Sequence, residues 1–359
     1  NENHQSLVFR TSDRGTPAES WNFIGMNVLL AGGAGFVGSH TAAELLLAGH
    51  GVLVIDNLSN SYKSGLDGPE KLSQKKIVFH EADLRDYQSI FRFSKDKRID
   101  AIIHLAGYKS VEESVLDPIT YFDNNLIPTI NLCRLVEELQ VQRFLFSSSA
   151  TVYGNPLKMP IDESFSTTET LSPYAESKVF NEMILKSLEA SRKNTTVVSL
   201  RYFNPAGAHP SGLIGEFSRQ AATNLIPVLS KIAVGDQSEL VIYGDNYDTP
   251  DGTCIRDFVH VVDLAKAHVA ALEKIPIRRG WRAYNIGTGK GHSVKEVLQT
   301  FELVIGRALP YRVAPKRPGD AERLFTNPNR AQRELAWKAS KTLRQICADA
   351  WAWESKRSA

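Results

Sequence analysis

The sequence predicts an α/β fold: a doubly wound parallel sheet of the Rossmann type, followed by a smaller C-terminal substrate-binding lobe. Three observations carry this prediction. Short apolar runs alternate with helix-like stretches from Met26 onward, which is the pattern of a parallel sheet covered on both faces. A glycine-rich turn, GGAGFVG at 32–38, separates the first apolar run from the first helix-like stretch. Beyond about residue 205 the alternation loosens into turn-rich segments with scattered helices and strands.

Taken in order, NVLLAG (27–32) reads as a buried strand and SHTAAELLLAG (39–49) as a helix. Strands follow at GVLVIDN (51–57), KIVFHEAD (76–83), DAIIHLAG (100–107), RFLFSSS (143–149) and TTVVSLRYF (195–203). Helices fill the gaps at 86–97, 118–139 and 173–192. In the second part, helices are expected at 220–235, 261–274, 293–305 and 341–354, and strands at 239–244, 284–289 and 311–315. The division expected is 26–205 for a nucleotide-binding unit, to which the chain returns around 253–284. Residues 206–252 and 285–355 would form the substrate lobe. Residues 1–25 are polar and lack the apolar core of a signal peptide, so they read as a leader or flexible extension before Met26.

Composition narrows the function. A chain of 359 residues with 42% hydrophobic and 23% charged residues is an ordinary globular protein. The formal net charge of +2 leaves no basic excess for nucleic-acid binding, and no apolar run reaches the roughly 18 residues of a membrane span. Cys133, Cys254 and Cys347 are scattered without C-x-x-C spacing. That argues against a disulfide framework or structural zinc and fits a reducing cytoplasm. The nine histidines are dispersed as well, so no metal centre is expected.

The chemistry-bearing residues sit at strand ends, where ligands of open parallel sheets bind. Gly32, Gly35 and Gly38 allow a tight turn and a close approach of backbone to a pyrophosphate at a helix N-terminus. Asp56 ends the second strand, where an acid accepts hydrogen bonds from ribose hydroxyls and repels a 2′-phosphate, favouring NAD over NADP. Asp83 either faces the adenine or caps the following helix. HLAG leads through Leu105, Ala106 and Gly107 to Tyr108 and Lys109 after the fourth strand. SSSATVYG (147–154) followed by SPYAESK (172–178) supplies Ser149, Tyr174 and Lys178. Four residues apart on a helix, Tyr174 and Lys178 share one face. An ammonium there favours the phenolate, and a serine hydroxyl holds the substrate oxygen in line for general acid–base work. Arg256 and Arg317 are candidates to hold phosphates through their guanidinium forks; the other reading pairs them with Asp257 and Asp320.

Together GGAGFVGSH, DNLSNS (56–61), SSSATVYGNP (147–156), the Tyr174/Lys178 pair, RYFNPAGAHPSG (201–212), DGTCIRDFVHVVDLA (251–265) and RPGD (317–320) make the chain from Met26 to about 355 resemble the UDP-glucose/UDP-galactose 4-epimerase family. These are extended short-chain dehydrogenase/reductases. The resemblance implies a tightly held NAD, a 4-keto sugar intermediate, and a homodimer built through 118–139 and 173–192. It assigns NAD contacts to Phe36, Val37, Asp56, Asn57, Leu58, Ser59, Asn60, Ser61, Asp83, Leu84, Lys109 and Asn124, with Phe203 near the nicotinamide. It assigns UDP-sugar contacts to Lys109, Asn204, Asn224, Leu225, Val241, Tyr243, Arg256, Arg317 and Asp320. Ala31 and Ala175 stand where the family usually has Thr and Gly. Leu324 occupies the position that gates the sugar pocket, and its intermediate size leaves plain hexoses and N-acetylhexosamines both open, with plain hexoses favoured.

Three other functions compete with this reading. Dehydratases of this scaffold carry acids where this chain has Ala150 and Thr151, which disfavours dehydration. A hexuronate epimerase would use the same Ser/Tyr/Lys chemistry. A catalytically silent NAD-binding sensor would need the nucleotide crevice but not the grouping of Ser149, Tyr174 and Lys178.

Overall fold

Apolar side chains alternate along the central strands and feed two cores, one on each face of a single sheet. In the computed structural model, which describes residues 25–156, 158–192, 194–277, 280–317 and 321–358, six strands form in the order expected. They are β1 (Asn27–Ala31), β2 (Gly51–Asp56), β3 (Val78–Glu81), β4 (Ala101–His104), β5 (Arg143–Ser149) and β6 (Thr196–Tyr202). A seventh, Trp281–Ile286, adds beside β6, and the order across the sheet is Trp281–Ile286, β6, β5, β4, β1, β2, β3, all parallel. Val28, Leu30, Val54 and Ile103 point to one face and pack with α1 (Phe36–Leu47) and the helix Val261–Lys274. Leu29, Ile55, Ile102, Phe144 and Phe146 point to the other. The helices α2 (Asp67–Ser73), α3 (Tyr87–Ser94), α4 (Val111–Leu116), α5 (Pro118–Leu139) and α6 (Pro173–Ser191) complete this half.

Local chemistry sets the helix boundaries. The first helix starts at Phe36, earlier than expected, because Gly35 itself is the N-cap of α1. Asp117 caps α5 by accepting from the Thr120 amide, and Pro118 takes its first position. The helix expected at 220–235 begins only at Leu225. Pro227 explains this, since proline fits the first turn of a helix but not its interior. Gly235, in the left-handed region at φ 89°, ends it.

In the second half, the helices Leu225–Val234, Val294–Ile305 and Leu343–Arg357 share a core that includes Leu229, Phe301 and Ile346. Beside them Leu240–Tyr243 pairs in parallel with Tyr311–Ala314. A small sheet joins Ile255–Arg256 to His292–Ser293 and Arg323–Leu324.

A buried ionic network ties α6 to three strands of the main sheet. Arg201 on β6 forks onto Glu182 of α6 (2.7 and 2.9 Å), and Ser148 of β5 donates to the same carboxylate at 2.7 Å. Arg201 also donates to the Tyr153 hydroxyl (2.8 Å), which donates to Asn285 of the last sheet strand (2.6 Å). Breaking a buried pair leaves an uncompensated charge, so Glu182→Leu should destabilise the protein by about 3–5 kcal/mol. Urea unfolding of Glu182→Leu, Arg201→Leu and the double variant should show the double losing less than the sum of the singles. Additive losses would mean that the two side chains are not energetically coupled.

Candidate active site

The turn after β1 is closed by backbone contacts that only glycine permits. Gly32 adopts φ 84°, and a Cβ there would lie 2.6 Å from the Ala106 amide nitrogen. A Cβ on Gly38 would meet the Gly32 carbonyl oxygen at 2.5 Å. At Gly35, by contrast, the nearest atom to an added Cβ is 3.8 Å away. Helix α1 has no side-chain cap and no acid in its first turn, so its leading amides are left for an anionic ligand. Phe36 and Val37 form that first turn.

Asp56 anchors the adjoining loop. One carboxylate oxygen accepts from the Ala34 amide (3.0 Å), the other from the Leu58 amide and the Ser61 hydroxyl (2.9 Å each). Leu58 sits at φ 55°, a strained conformation for a leucine. Asn57 accepts from the Ser59 amide and donates to Asp83 at 3.2 Å. Hydrogen bonds from Arg85 hold the Asp83 carboxyl down at about 2. Asp83 is not the cap of α3, as one reading of the sequence had it; Asp86 accepts from the Ser89 amide instead. Leu84 is buried beneath this loop.

After β4, the Leu105 and Ala106 amides both donate to the Ala31 carbonyl. Gly107 then passes close to Lys178: an added Cβ would stand 3.8 Å from its Nζ. Asn125 holds the next residue by accepting from the Tyr108 amide (2.8 Å) and donating to its carbonyl (3.1 Å). Asn124 in turn donates to Asn125 at 3.2 Å. Asn125 was missed in the sequence, where the only signal is an asparagine on the apolar face of a helix. It also donates to Ser177, next to Lys178.

Ser149 is the last residue of β5 and caps the short turn Ala150–Tyr153, its hydroxyl accepting from the Thr151 amide (3.2 Å) and hydroxyl (2.9 Å). Ser172 caps α6, and Pro173 occupies its first position, which places Tyr174 at the second. Lys178 lies one turn on, and its ammonium donates to the Ser147 carbonyl at 2.9 Å while standing 5.9 Å from the Tyr174 ring centroid. Tyr174 and Lys178 are both buried. Burial pushes the Tyr174 phenol up, and its hydrogen bond with Ser149 works in the opposite direction. Burial also brings the Lys178 ammonium down to about 8.

The remaining candidates fall into small groups. Phe203 is buried with Ala150, Val152 and Tyr153, and Leu324 packs against the same cluster. Leu324 pairs in register with Arg256, whose guanidinium donates to the Ile255 carbonyl at 2.8 Å. The Arg317 guanidinium covers the Tyr243 ring at 3.7 Å from its centroid, and Val241 lies two residues earlier on that strand. Asn204 donates its amide to the Asp257 carbonyl. Asn224 and Leu225 open a helix whose first turn has neither a side-chain cap nor an acid. Asp320 lies outside the described residues. Among the described residues no group of three His, Cys, Asp or Glu could hold a metal ion.

A parallel sheet with a phosphate-ready glycine turn and a Ser–Tyr–Lys constellation defines a class of nucleotide-dependent enzymes. The model of the NAD dependent epimerase/dehydratase family matches residues 28–287, and the chain belongs to that family. Among individual proteins, it is 46% identical over 330 residues to the UDP-glucose 4-epimerase of Bacillus subtilis, covering 92% of this chain and 97% of the relative. It is 44% identical over 335 residues to the UDP-glucose 4-epimerase of Homo sapiens, covering 92% and 96%. The crystal structure of UDP-glucose 4-epimerase from Bifidobacterium longum in complex with NAD+ and UDP superposes with a TM-score of 0.89 at 44% identity, covering 92% and 98%.

The lowered Lys178 value has a pH signature. Between about 8 and the ordinary 10.5 the unfolded chain binds more protons at this residue than the folded one, so stability rises with pH across that window. Lys178→Met should remove this rise. Urea midpoints of parent and variant at several pH values between 7 and 10 are the check, and equal slopes would rule out Lys178 as their source.

Proposed function

We infer that this protein interconverts UDP-glucose and UDP-galactose by epimerisation at C4, using a tightly bound NAD. The observation that carries the inference is the meeting of Ser149, Tyr174 and Lys178 at the carboxyl edge of the sheet, with Gly107 close to Lys178 and the glycine turn two strands from β5. The residues fit NAD. The uncapped start of α1 and the open space over Gly35 suit its pyrophosphate. Asp56 with Asn57 to Ser61 suits the adenosine ribose, Asp83 and Leu84 the adenine, and Leu105 to Lys109 with Asn124 and Phe203 the nicotinamide half. Bound NAD supplies a reversible two-electron exchange at the sugar C4.

The chain's own residues then handle the proton. Tyr174 takes it from the sugar 4-hydroxyl, and Ser149 holds that oxygen in line. Lys178 is fastened to Ser147 beside the Tyr174 ring, where its charge favours the phenolate. Arg256 and Arg317 hold the diphosphate while the 4-keto sugar turns over, and Tyr174 returns the proton on the other face. Asn204, Asn224, Leu225, Val241 and Tyr243 complete the UDP-sugar site, with Leu324 beside Phe203 at the sugar end. Residues 26–205 with 253–284 hold the cofactor in this scheme, and 206–252 with 285–355 hold the substrate.

We also propose that the protein is a cytoplasmic homodimer. Ile119, Ile130, Phe180 and Met183 leave apolar surface exposed on α5 and α6, and Phe122 meets Phe180 with centroids 5.9 Å apart. An adjoining pair of helices with such a face suits a second copy. Among the described residues no helix is long and apolar enough to cross a membrane.

A proton NMR time course with UDP-galactose and no added NAD should show UDP-glucose growing to a stable mixture. Tyr174→Phe should lower the rate by about 10²–10⁴-fold or more while keeping its nucleotide, because one group serves both half-reactions. Unchanged UDP-galactose, with NAD supplied, would overturn the assignment; the same assay with UDP-N-acetylglucosamine reads what Leu324 admits. For the dimer, light scattering should give twice the chain mass for the parent and the chain mass for Phe180→Glu/Met183→Glu. A double variant that stays dimeric would exclude this face.

A further inference from the structure

The segment 213–220 runs between the two lobes, and none of its side chains is assigned to the site above. Its root is fixed in the substrate lobe. A Cβ on Gly215 would overlap the Trp353 indole at 2.3 Å, and the indole nitrogen donates to the Glu216 carbonyl at 3.3 Å. Its outer part reaches the other lobe at two places. Glu216 pairs with Lys109 of the loop after β4 at 3.3 Å. Arg219 turns its Nε onto the carbonyls of Leu58 (2.9 Å) and Ser61 (3.0 Å) in the loop after β2. The Gln220 amide donates to the Asn60 side chain at 3.0 Å. Tyr62 stacks on Phe217 with centroids 4.4 Å apart at 18°, and the Arg219 guanidinium lies 4.3 Å from the same ring.

The sheet order turns these contacts into a position. Strands β2 and β4 are the two neighbours of β1, so the loops after them flank the glycine turn that follows β1. One piece of chain that grips both loops spans that turn. We propose that residues 216–220 are a retention strap for the nucleotide, fastened by Arg219 and Glu216, and that release of the cofactor requires the strap to let go. This rests on the reading of the crevice as an NAD site.

The fastening is built to open. Arg219 and Gln220 are exposed, and Arg219 reaches both carbonyls through a single Nε, so the fastening rests on few bonds at the surface. A guanidinium bonded to two carbonyls and laid on an aromatic ring nevertheless makes one of the stronger contacts available at a surface. A retained cofactor suits this chemistry, because a nucleotide lost in its reduced state would strand the 4-keto sugar.

The test compares the parent with Arg219→Ala, Arg219→Lys and Glu216→Gln. Two quantities are read: acid-released NAD per chain after gel filtration, and the rate at which bound NAD exchanges with isotopically labelled NAD. Arg219→Ala should release NAD roughly tenfold to a hundredfold faster, as loss of a charge-assisted hydrogen bond implies. Its thermal midpoint and its turnover, both read at saturating NAD, should stay close to those of the parent. Arg219→Lys, with a single donor group and no planar fork, should fall between, and Glu216→Gln should accelerate exchange less than Arg219→Ala. A parent that holds NAD beside variants that exchange it at the parental rate would overturn the strap alone. A parent that neither carries nor takes up NAD would overturn the cofactor reading and the strap with it.

Discussion

The crevice depends on how one carboxylate spends its lone pairs. With one oxygen facing Ala34 and the other facing Leu58 and Ser61, Asp56 locks the turn after β1 to the loop after β2. The left-handed backbone of Leu58 is tolerable only because its amide is committed to that carboxylate. Through Leu58 and Ser61 the same anchoring reaches Arg219, so the segment before Leu225–Val234 is gripped at the residues whose amide and hydroxyl Asp56 holds. A neutral residue at 56 would loosen the turn, the loop and the lobe contact together.

A second constraint acts from behind Ser149, Tyr174 and Lys178. Lys178 and Glu182 lie one turn apart on α6; the first binds the carbonyl of Ser147 and the second the hydroxyl of Ser148. Helix and strand are thus pinned at successive residues immediately before Ser149, with Arg201 closing the arrangement from β6. The rotation of α6, and with it the direction of the Tyr174 phenol, is set by charge pairing as well as by apolar packing.

Much of this was legible in the sequence, for identifiable reasons. The six N-terminal strands are apolar runs bounded by polar or glycine residues, and α5 and the helix Val261–Lys274 match their expected spans because each carries its own cap. The short helices α2 and α4 escaped notice, since six or seven residues are too few to display a helical period. Ser149, Tyr174 and Lys178 could be picked out because their spacing is local. Asn125 and Arg219 could not: their partners depend on the tertiary fold, and 161 residues separate Leu58 from Arg219. For Tyr174, spacing along a helix places an ammonium one turn from the phenol, but it says nothing of how deeply both are buried, and burial raises the phenol.

The last strand of the main sheet has a consequence for how the chain is made. Trp281–Ile286 pairs with β6, all of whose residues are buried, yet about eighty residues of chain, among them Leu225–Val234 and Leu240–Tyr243, are synthesised between the two. Until it arrives, the nascent polypeptide carries a long apolar edge with unsatisfied backbone groups, the kind of surface that recruits other chains. The intervening segment must therefore collapse while its neighbour is still open on one side. A truncation ending near residue 205 would leave that edge of β6 bare and should be a sticky fragment.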